Sequence, residues 1–249
     1  MIGVGLQLYS IRDDKTDLLT KLGLVAAMGY KGIEFASFDE LPAKAIKARL
    51  GELGLTPIGS HQGIDLLDAS KADKALEYHA EVGCGYIAIP WAKYEGEEAV
   101  KAAAERINEV GRKAAGMGIK YLYHNHNHEF ERIGGRYVLD LIMENTDPKY
   151  FGLQLDTYWV QYAGVDVVGY MKGVKGRLAL IHQKDMKPGE AMEICEVGNG
   201  IMDVGAITRL GDEYGIPWTI VEQDRCVDYA PLECVRISAE TFRRLGYLA

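Results

Sequence analysis

Three of the six histidines in this 249-residue chain, His124, His126 and His128, stand at alternate positions in the stretch "IKYLYHNHNHEF", residues 119–130. They follow an apolar run of the kind that forms a buried strand. Side chains two residues apart on a strand point to the same side, so His124 and His126 are expected to face inward together. Neighbouring buried imidazoles need partners, because an unpaired buried polar group is costly. The stretch therefore predicts that the ends of other strands supply partners for these two histidines.

Three later strand-like runs also end on a histidine or a carboxylate: Asp156 in "FGLQLDT", His182 in "LALIHQKD" and Glu222 in "PWTIVEQD". Two imidazoles and two carboxylates suit Mn²⁺, Co²⁺, Zn²⁺ or Fe²⁺ better than the all-oxygen sites of Mg²⁺ and Ca²⁺. We therefore expect one divalent metal ion held by His124, Asp156, His182 and Glu222. Each residue taken singly has a plainer interpretation as a hydrogen-bonded strand-end residue, and Asp156 could simply cap the following turn.

Other polar and aromatic residues lie at or just beyond strand ends, and we expect them to contact a bound substrate: Gln7, Tyr9, Glu34, His61, Trp91, Trp159 and Asp185. The two tryptophans could form the wall of a sugar-binding pocket by apolar stacking.

His79 alone among the histidines falls inside a predicted helix and is expected to be partly exposed. Arg12 is expected in a solvated loop, whereas Glu129 could fix a histidine tautomer or be a loop acid.

Short β-rich runs alternate with helical segments along the whole chain. The runs cover residues 4–10, 31–36, 55–61, 85–92, 120–126, 151–157, 178–185 and 217–224, and the clearest helical segments cover 17–29, 96–118 and 232–245. Eight strand–helix repeats of roughly 30 residues predict a single (β/α)8 TIM-barrel domain over residues 1–249. Several helices should stop at a glycine before the next strand: Gly29, Gly54, Gly83, Gly118 and Gly215. A doubly wound sheet would require a glycine-rich phosphate-binding turn after its first strand. The segment "LYSIRDD" contains no glycine, which favours the barrel.

The bulk composition narrows the classes of function. A formal net charge of -8 offers no basic face for nucleic acid, and no run approaches the length of a membrane span. The four cysteines are scattered without a CxxC pair, which fits reduced thiols. With no secretory signal apparent, we expect a soluble cytoplasmic protein that binds a small molecule, neither nucleic acid nor membrane. Whether it forms a homo-oligomer is left open.

The motifs "GLQLYSIRDD", "YHNHNHEF", "QLDTYWVQYAGVD", "HQKD" and "WTIVEQD" together resemble the xylose isomerase-like TIM-barrel superfamily. More narrowly, they resemble its sugar phosphate isomerase/epimerase branch, which includes inosose dehydratases and keto-sugar lyases. The resemblance spans the chain and implies one divalent metal at the ends of strands five to eight, held by His124, Asp156, His182 and Glu222. It also implies that His126 and Lys184 touch the substrate.

One departure from the superfamily concerns the bases. Its ketose 3-epimerases carry metal-binding glutamates on strands five and eight, which exchange a proton on opposite faces of the substrate. Here His124 stands on strand five and Trp159 replaces a histidine that follows strand six, so the resemblance does not imply simple two-glutamate epimerisation. One-base isomerisation, or enolisation followed by loss of a leaving group, fits these residues better.

The sequence thus predicts a divalent-metal-dependent sugar isomerase or epimerase. It would abstract a proton next to a carbonyl of a sugar or cyclitol through a metal-stabilised enediolate, with Glu222, His126 and Lys184 as the catalytic acids and bases. Unphosphorylated substrates are expected, since no Lys/Arg pair marks a phosphate pocket. The alternative is a β-eliminating lyase or dehydratase acting on a keto-sugar, 3-keto-glycoside or inosose. An endonuclease IV-like enzyme and a non-catalytic sugar-binding barrel are further alternatives.

Overall fold

A computed structural model describes residues 1–36, 38, 41–67, 69–189 and 191–249 of the chain. Eight parallel strands are ordered 1-8-7-6-5-4-3-2 in a closed barrel, which confirms the predicted (β/α)8 fold class. The strands are β1 (Gly3–Gln7), β2 (Gly32–Phe35), β3 (Thr56–His61), β4 (Tyr86–Ile89), β5 (Lys120–His124), β6 (Phe151–Asp156), β7 (Leu178–Gln183) and β8 (Trp218–Val221).

The helices that follow these strands are α1 (Leu18–Ala27), α2 (Ala43–Leu53), α3 (Ala69–Val82), α4 (Glu97–Gly116), α5 (Val138–Asn145), α6 (Thr157–Tyr162), α7 (Val167–Gly173), α8 (Val204–Glu213) and α9 (Pro231–Arg244). The five glycines predicted to end helices all have positive φ angles, between 64° and 99°. Glycine adopts this conformation without a Cβ clash, so the predicted stops are confirmed. None of the described helices is both long and apolar enough to cross a membrane.

The chain divides into two compact units, and the first comprises Met1–Ile58 and Leu180–Ala249. Its strands pair in the order β2-β1-β8-β7, with Gly5 opposite Gly32 and Gly3 opposite Trp218. A Cβ on Gly32 would lie 2.7 Å from side-chain atoms of Ile58 and 2.9 Å from the Trp218 ring. Glycine is therefore needed on these strands because larger side chains from their neighbours fill the space above them.

The second unit, Gly59–Ala179, contains the end of β3 and the strands β4, β5 and β6. These pair in chain order, with Ala88 opposite Leu122 and His124 opposite Gln154. All six residues of β6 are buried, as expected of a parallel strand covered on both faces. The register sets the end of β5 beside β6, which fixes where His124 and the β6 carboxylate can meet.

Several strands are shorter than the sequence predicts. The run predicted over 4–10 ends at Gln7, and Leu8–Ile11 forms a 3₁₀ helix. The run predicted over 85–92 ends at Ile89, so Trp91 lies in the loop beyond it. In both places the apolar pattern continues past the end of the strand, because Leu8 and Ala92 beyond it are buried as well.

Candidate active site

In the second unit, the carboxyl ends of β5 and β6 bring His124 beside Asp156. The Nε2 atom of His124 lies 3.7 Å from Oδ2 of Asp156, and both side chains are buried. The other carboxylate oxygen, Oδ1, accepts hydrogen bonds from the backbone N–H groups of Tyr158 and Trp159. Asp156 therefore caps α6, as the plainer interpretation expects, and still presents one oxygen to a histidine.

Asn125, the residue after His124, ties the two strand ends together. Its amide Oδ1 accepts a 2.9 Å hydrogen bond from the backbone N–H of Asp156, and its Nδ2 donates to the Asp156 carbonyl at 3.2 Å. This two-point bond between a side chain and a strand backbone locks the separation of His124 and Asp156.

Further imidazole and aromatic groups surround His124 within the same unit. The His61 ring centroid is 4.7 Å from that of His124, and the Nε2 atom of His61 lies 2.8 Å from Oε1 of Gln154. The His126 ring is 5.2 Å from His124 and 5.3 Å from Trp159. The expected neighbours His61, His126 and Trp159 are thus brought together with His124, whereas Trp91 is 55% exposed and contacts His128.

A buried glutamate holds the histidine-rich loop in shape. Glu129 accepts hydrogen bonds from the backbone N–H of His126 at 2.8 Å and from the Tyr123 hydroxyl at 2.8 Å. Its Oε1 also lies 2.9 Å from Nε2 of His128. Burial alone would lower the pKa of His128, but Glu129, the Ala92 carbonyl and the charge of Glu131 together raise that pKa. Glu129 therefore fixes the loop backbone that carries His126. It is a buried structural residue and not a solvent-exposed acid of the loop.

In the first unit, a chain of buried polar groups runs from β1 through β2 and β7 to the end of β8. Gln7 Nε2 donates to Glu34 Oε2 at 2.7 Å, and the same oxygen lies 2.7 Å from Nε2 of His182. The Nδ1 atom of His182 lies 3.0 Å from Oε2 of Glu222. Burial alone would lower the pKa of His182, but the two carboxylates raise it to about 10.

Lys184 lies next to this chain and is only 1% exposed. Its ammonium nitrogen is 3.1 Å from Oε2 of Glu222 and donates to both carboxylate oxygens of Asp224, at 2.8 and 2.9 Å. A buried lysine is tolerated only when its charge is paired, and here two carboxylates pair it. The structure thus places Lys184 in contact with Glu222, as expected of two residues of one site.

Asp185 has a different role from the expected substrate contact. Its two carboxylate oxygens accept backbone N–H hydrogen bonds from Met186, Gly198, Gly200 and Met202, at 2.7 to 3.1 Å. A Cβ on Gly200 would lie 2.2 Å from Oδ1 of Asp185, so the "GNG" turn needs glycine there. Asp185 is buried and folds the loop after β7 around its carboxylate, which leaves it no free lone pair for a substrate.

Changing Asp185 to asparagine should therefore cost stability rather than substrate affinity. The amide retains one acceptor and turns its NH₂ group towards backbone donors. We expect the free energy of unfolding to fall by about 3 kcal/mol in urea denaturation. Asp166→Asn is the control, because Asp166 is exposed and its side chain makes no capping hydrogen bond. A loss below about 1 kcal/mol for Asp185→Asn would contradict the structural role.

Two further expectations differ from the structure. His79 is 2% exposed, not partly exposed: its Nε2 lies 2.5 Å from the Ser60 hydroxyl and its Nδ1 2.6 Å from the Ala75 carbonyl oxygen, while burial lowers its pKa. Arg12 is not simply solvated. Its guanidinium lies 3.8 Å over the Tyr9 ring and donates to the Asp224 carbonyl at 2.8 Å.

Sequence reasoning missed Gln154, and it placed Asp224 at the end of the last strand without giving it a role. Gln154 stands two positions before Asp156 on β6, so the period-two rule puts both on one side of the strand and could have identified it. Asp224 stands two positions after Glu222 in "VEQD", beyond the end of β8. No local pattern distinguishes Asp224 from an ordinary loop acid, because its partner is 40 residues away.

A parallel (β/α)8 fold with histidines and carboxylates at consecutive strand ends defines a class of TIM-barrel enzymes. The chain belongs to the family described as "Xylose isomerase-like TIM barrel", whose model matches residues 22–244. This confirms the family resemblance read from the motifs.

Among curated proteins, the chain is similar to inosose dehydratases. It is 21% identical to that of Geobacillus kaustophilus over 235 residues, covering 85% of this chain and 73% of the relative. It is 24% identical to that of Clostridium beijerinckii over 149 residues, covering 53% of this chain and 49% of the relative. Among solved structures, it resembles a sugar phosphate isomerase/epimerase from Parabacteroides distasonis, with 26% identity, a TM-score of 0.87 and coverage of 100% and 96% of the two chains.

Proposed function

We propose that this protein is a divalent-metal-dependent enzyme that removes a proton from the carbon next to a carbonyl of a sugar or cyclitol. In the principal form of the proposal the proton returns to the same molecule, which makes the enzyme an isomerase or epimerase. The observation that carries the proposal is a group of four buried residues that could hold a metal ion, His124, Asp156, His182 and Glu222.

The donor atoms fit a transition-metal ion. Two imidazoles and two carboxylates are the ligands favoured by Mn²⁺, Co²⁺, Zn²⁺ and Fe²⁺. Within each unit a histidine already faces a carboxylate, His124 towards Asp156 and His182 towards Glu222. Neighbouring groups also orient the ligands, as Asn125 does for Asp156 and Glu34 does for His182. Such supporting hydrogen bonds are characteristic of metal sites.

A divalent cation bound there would act as a Lewis acid on the carbonyl and neighbouring hydroxyl oxygens of the substrate. In the proposed reaction Glu222 accepts the proton from carbon, and Lys184 carries a proton to the substrate oxygen that gains negative charge. His126 then returns a proton to carbon while Lys184 takes its proton back from the oxygen as the carbonyl re-forms, and exchange with water resets Glu222 and His126. Glu129 fixes the backbone of His126 for this role. Trp159 lies against His126 and would exclude water from the reacting carbon.

A dehydratase is the second candidate function, favoured by the curated inosose dehydratases that the chain resembles. The first step is the same proton transfer to Glu222. A hydroxyl group then leaves from the next carbon, and the Lys184 ammonium protonates it so that water departs. A buried lysine between two carboxylates is suited to that transfer. An endonuclease-like activity has no comparable support, because the chain's net charge is -8.

Products formed in D₂O separate the two candidates. Manganese-loaded protein would be incubated with ketoses, 3-keto-glycosides and inososes, and the products analysed by mass spectrometry and NMR. The isomerase or epimerase proposal expects a product of unchanged composition with deuterium at the carbon next to the carbonyl. Loss of water or of an aglycone would assign the lyase instead. Metal-loaded protein without exchange or product on any of these substrates would contradict both candidates.

Metal binding should release a proton from His182. In the metal-free protein the pKa of His182 is about 10, so its ring is protonated at pH 8 and cannot coordinate a cation. We expect Mn²⁺ binding at pH 8 to release about one proton, and the affinity to rise as the pH approaches 10. Calorimetric titration of EDTA-treated protein in buffers of different ionisation enthalpy measures the release. Binding without proton release would exclude His182 as a ligand.

A further inference from the structure

The ammonium group of Lys184 is held by one strand-end carboxylate and one loop carboxylate. Asp224 engages it with both oxygens, at 2.8 and 2.9 Å, whereas Glu222 offers only Oε2, at 3.1 Å. Asp224 therefore provides the stronger hold. A lysine side chain has four rotatable bonds, and a bidentate partner removes much of the freedom of its terminal group. The position of Nζ beside Glu222 depends on where Asp224 stands.

The backbone of Asp224 is itself fixed by residues that follow β1. Arg12 donates from Nη2 to the Asp224 carbonyl at 2.8 Å and from Nη1 to the Tyr9 carbonyl at 2.8 Å. The hydroxyl of Ser10 accepts a 3.0 Å hydrogen bond from the backbone N–H of Gln223. The loop after β8 is thus attached to the 3₁₀ helix Leu8–Ile11 on both sides of the Gln223–Asp224 peptide. Because the loop is attached in this way, the Asp224 carboxylate has a fixed position from which to hold Lys184.

We propose that Asp224 is a positioning residue that holds the Lys184 ammonium against Glu222 in the geometry required for proton transfer, and that Arg12 fixes Asp224 for this purpose. The inference rests on the proposed function, because it concerns the reaction in which Lys184 and Glu222 take part. Asp224 acts through Lys184 and need not touch the substrate. Displacing a catalytic group by about 1 Å can reduce turnover about 100-fold, so such a support has a measurable effect.

A second lysine–aspartate pair in the same loops provides a matched control. Lys187 and Asp228 lie three and four residues further along than Lys184 and Asp224, and they approach to 2.7 Å. Their side chains are 30% and 49% exposed, compared with 1% and 28% for the inner pair. An exposed pair is loosely held and screened by water. Asp228→Asn therefore changes the same kind of interaction without disturbing Lys184.

The test is a double-mutant cycle on the manganese-loaded 249-residue chain with the substrate found in the D₂O screen. We expect Asp224→Asn to lower kcat about 100-fold with little change in KM or in Mn²⁺ affinity measured by calorimetry. Asp228→Asn should leave both constants within about twofold. Arg12→Gln leaves the carboxylates of Glu222 and Asp224 in place. It should lower kcat to a level between those of the wild type and Asp224→Asn. In a Lys184→Met background, Asp224→Asn should cost less than about threefold further, because its effect passes through the lysine.

Three results would overturn the inference. One is a kcat for Asp224→Asn within about twofold of wild type. Another is an equal loss caused by Asp224→Asn with and without Lys184, since a general structural role would produce it. The third is loss of Mn²⁺ affinity in parallel with kcat. None of these is failure of the proposed function, which would instead show as full activity when His124 or Glu222 is replaced.

Discussion

Replacing His124 by alanine is expected to abolish turnover and leave the fold intact. His124 is buried at the end of β5, where its Nε2 faces Asp156 Oδ2 at 3.7 Å. Removing one of four proposed ligands should weaken Mn²⁺ binding by at least about 100-fold, and kcat/KM should fall by at least about 1,000-fold. The measurements are metal content by elemental analysis, Mn²⁺ affinity by calorimetry, and turnover of the substrate found in the D₂O screen.

Glu222→Gln should cause a comparable loss of turnover, because the amide can neither accept the substrate proton nor contribute a negative charge to a cation. Circular dichroism and thermal unfolding check that both variants fold. Asn127→Ala is the control within the histidine-rich loop, since Asn127 is exposed and makes no capping hydrogen bond at the start of the 3₁₀ helix His128–Phe130. Near-wild-type rate and metal content in either ligand variant would disprove the proposed site.

The second large loss of turnover is expected for Lys184→Met. Methionine fills much of the volume of the lysine stem, but it removes the charge that lies between Glu222 and Asp224. We expect kcat to fall about 100- to 10,000-fold, the range attributed to a general acid or base. Stability should also fall, because two neighbouring carboxylates lose the cation that pairs them. Steady-state kinetics and urea denaturation measure the two effects separately.

The control for Lys184→Met is Lys187→Met. Lys187 also bridges two carboxylates, at 2.7 Å from Asp228 and 3.6 Å from Glu193, but its side chain is 30% exposed. Its replacement should leave both the free energy of unfolding and kcat nearly unchanged, because water screens this exposed charge. A Lys184→Met variant as active as Lys187→Met would remove the lysine from the mechanism, while leaving the metal proposal to be decided by His124 and Glu222.

The relatives of this chain carry two different names, inosose dehydratase and sugar phosphate isomerase/epimerase. Inosose dehydratases and a sugar phosphate isomerase/epimerase are similar to it at 21% and 26% identity. In the proposed mechanism the same proton transfer to Glu222 begins both reactions, and the fate of the next group decides between them. In that mechanism we propose that Lys184 affects the choice, because a proton donor beside a leaving hydroxyl promotes elimination. The proposed support of Lys184 by Asp224 would then influence the type of reaction as well as its rate.

The sequence alone determined the strand–helix alternation, the five glycine stops and the presence of histidines and carboxylates at successive strand ends. These features are local: they depend on the period of apolar residues, on the conformational freedom of glycine and on the order of residues along one strand. The fold class followed from them and the family from the resemblance of the motifs, and both are confirmed. The proposed ligands could be named in advance because parallel strands all present their carboxyl ends at one end of a barrel.

Only the tertiary structure decided which partner each polar residue has. Asp185 binds backbone groups 13 to 17 residues away, Lys184 meets an aspartate 40 residues away, and His79 is buried against a serine 19 residues away. The periodicity of the sequence does not predict such pairs. Hydrogen bonds form between groups that packing brings close together, whatever their separation along the chain. The role of a strand-end carboxylate, as loop anchor, lysine support or proposed ligand, is therefore set by its neighbours in space.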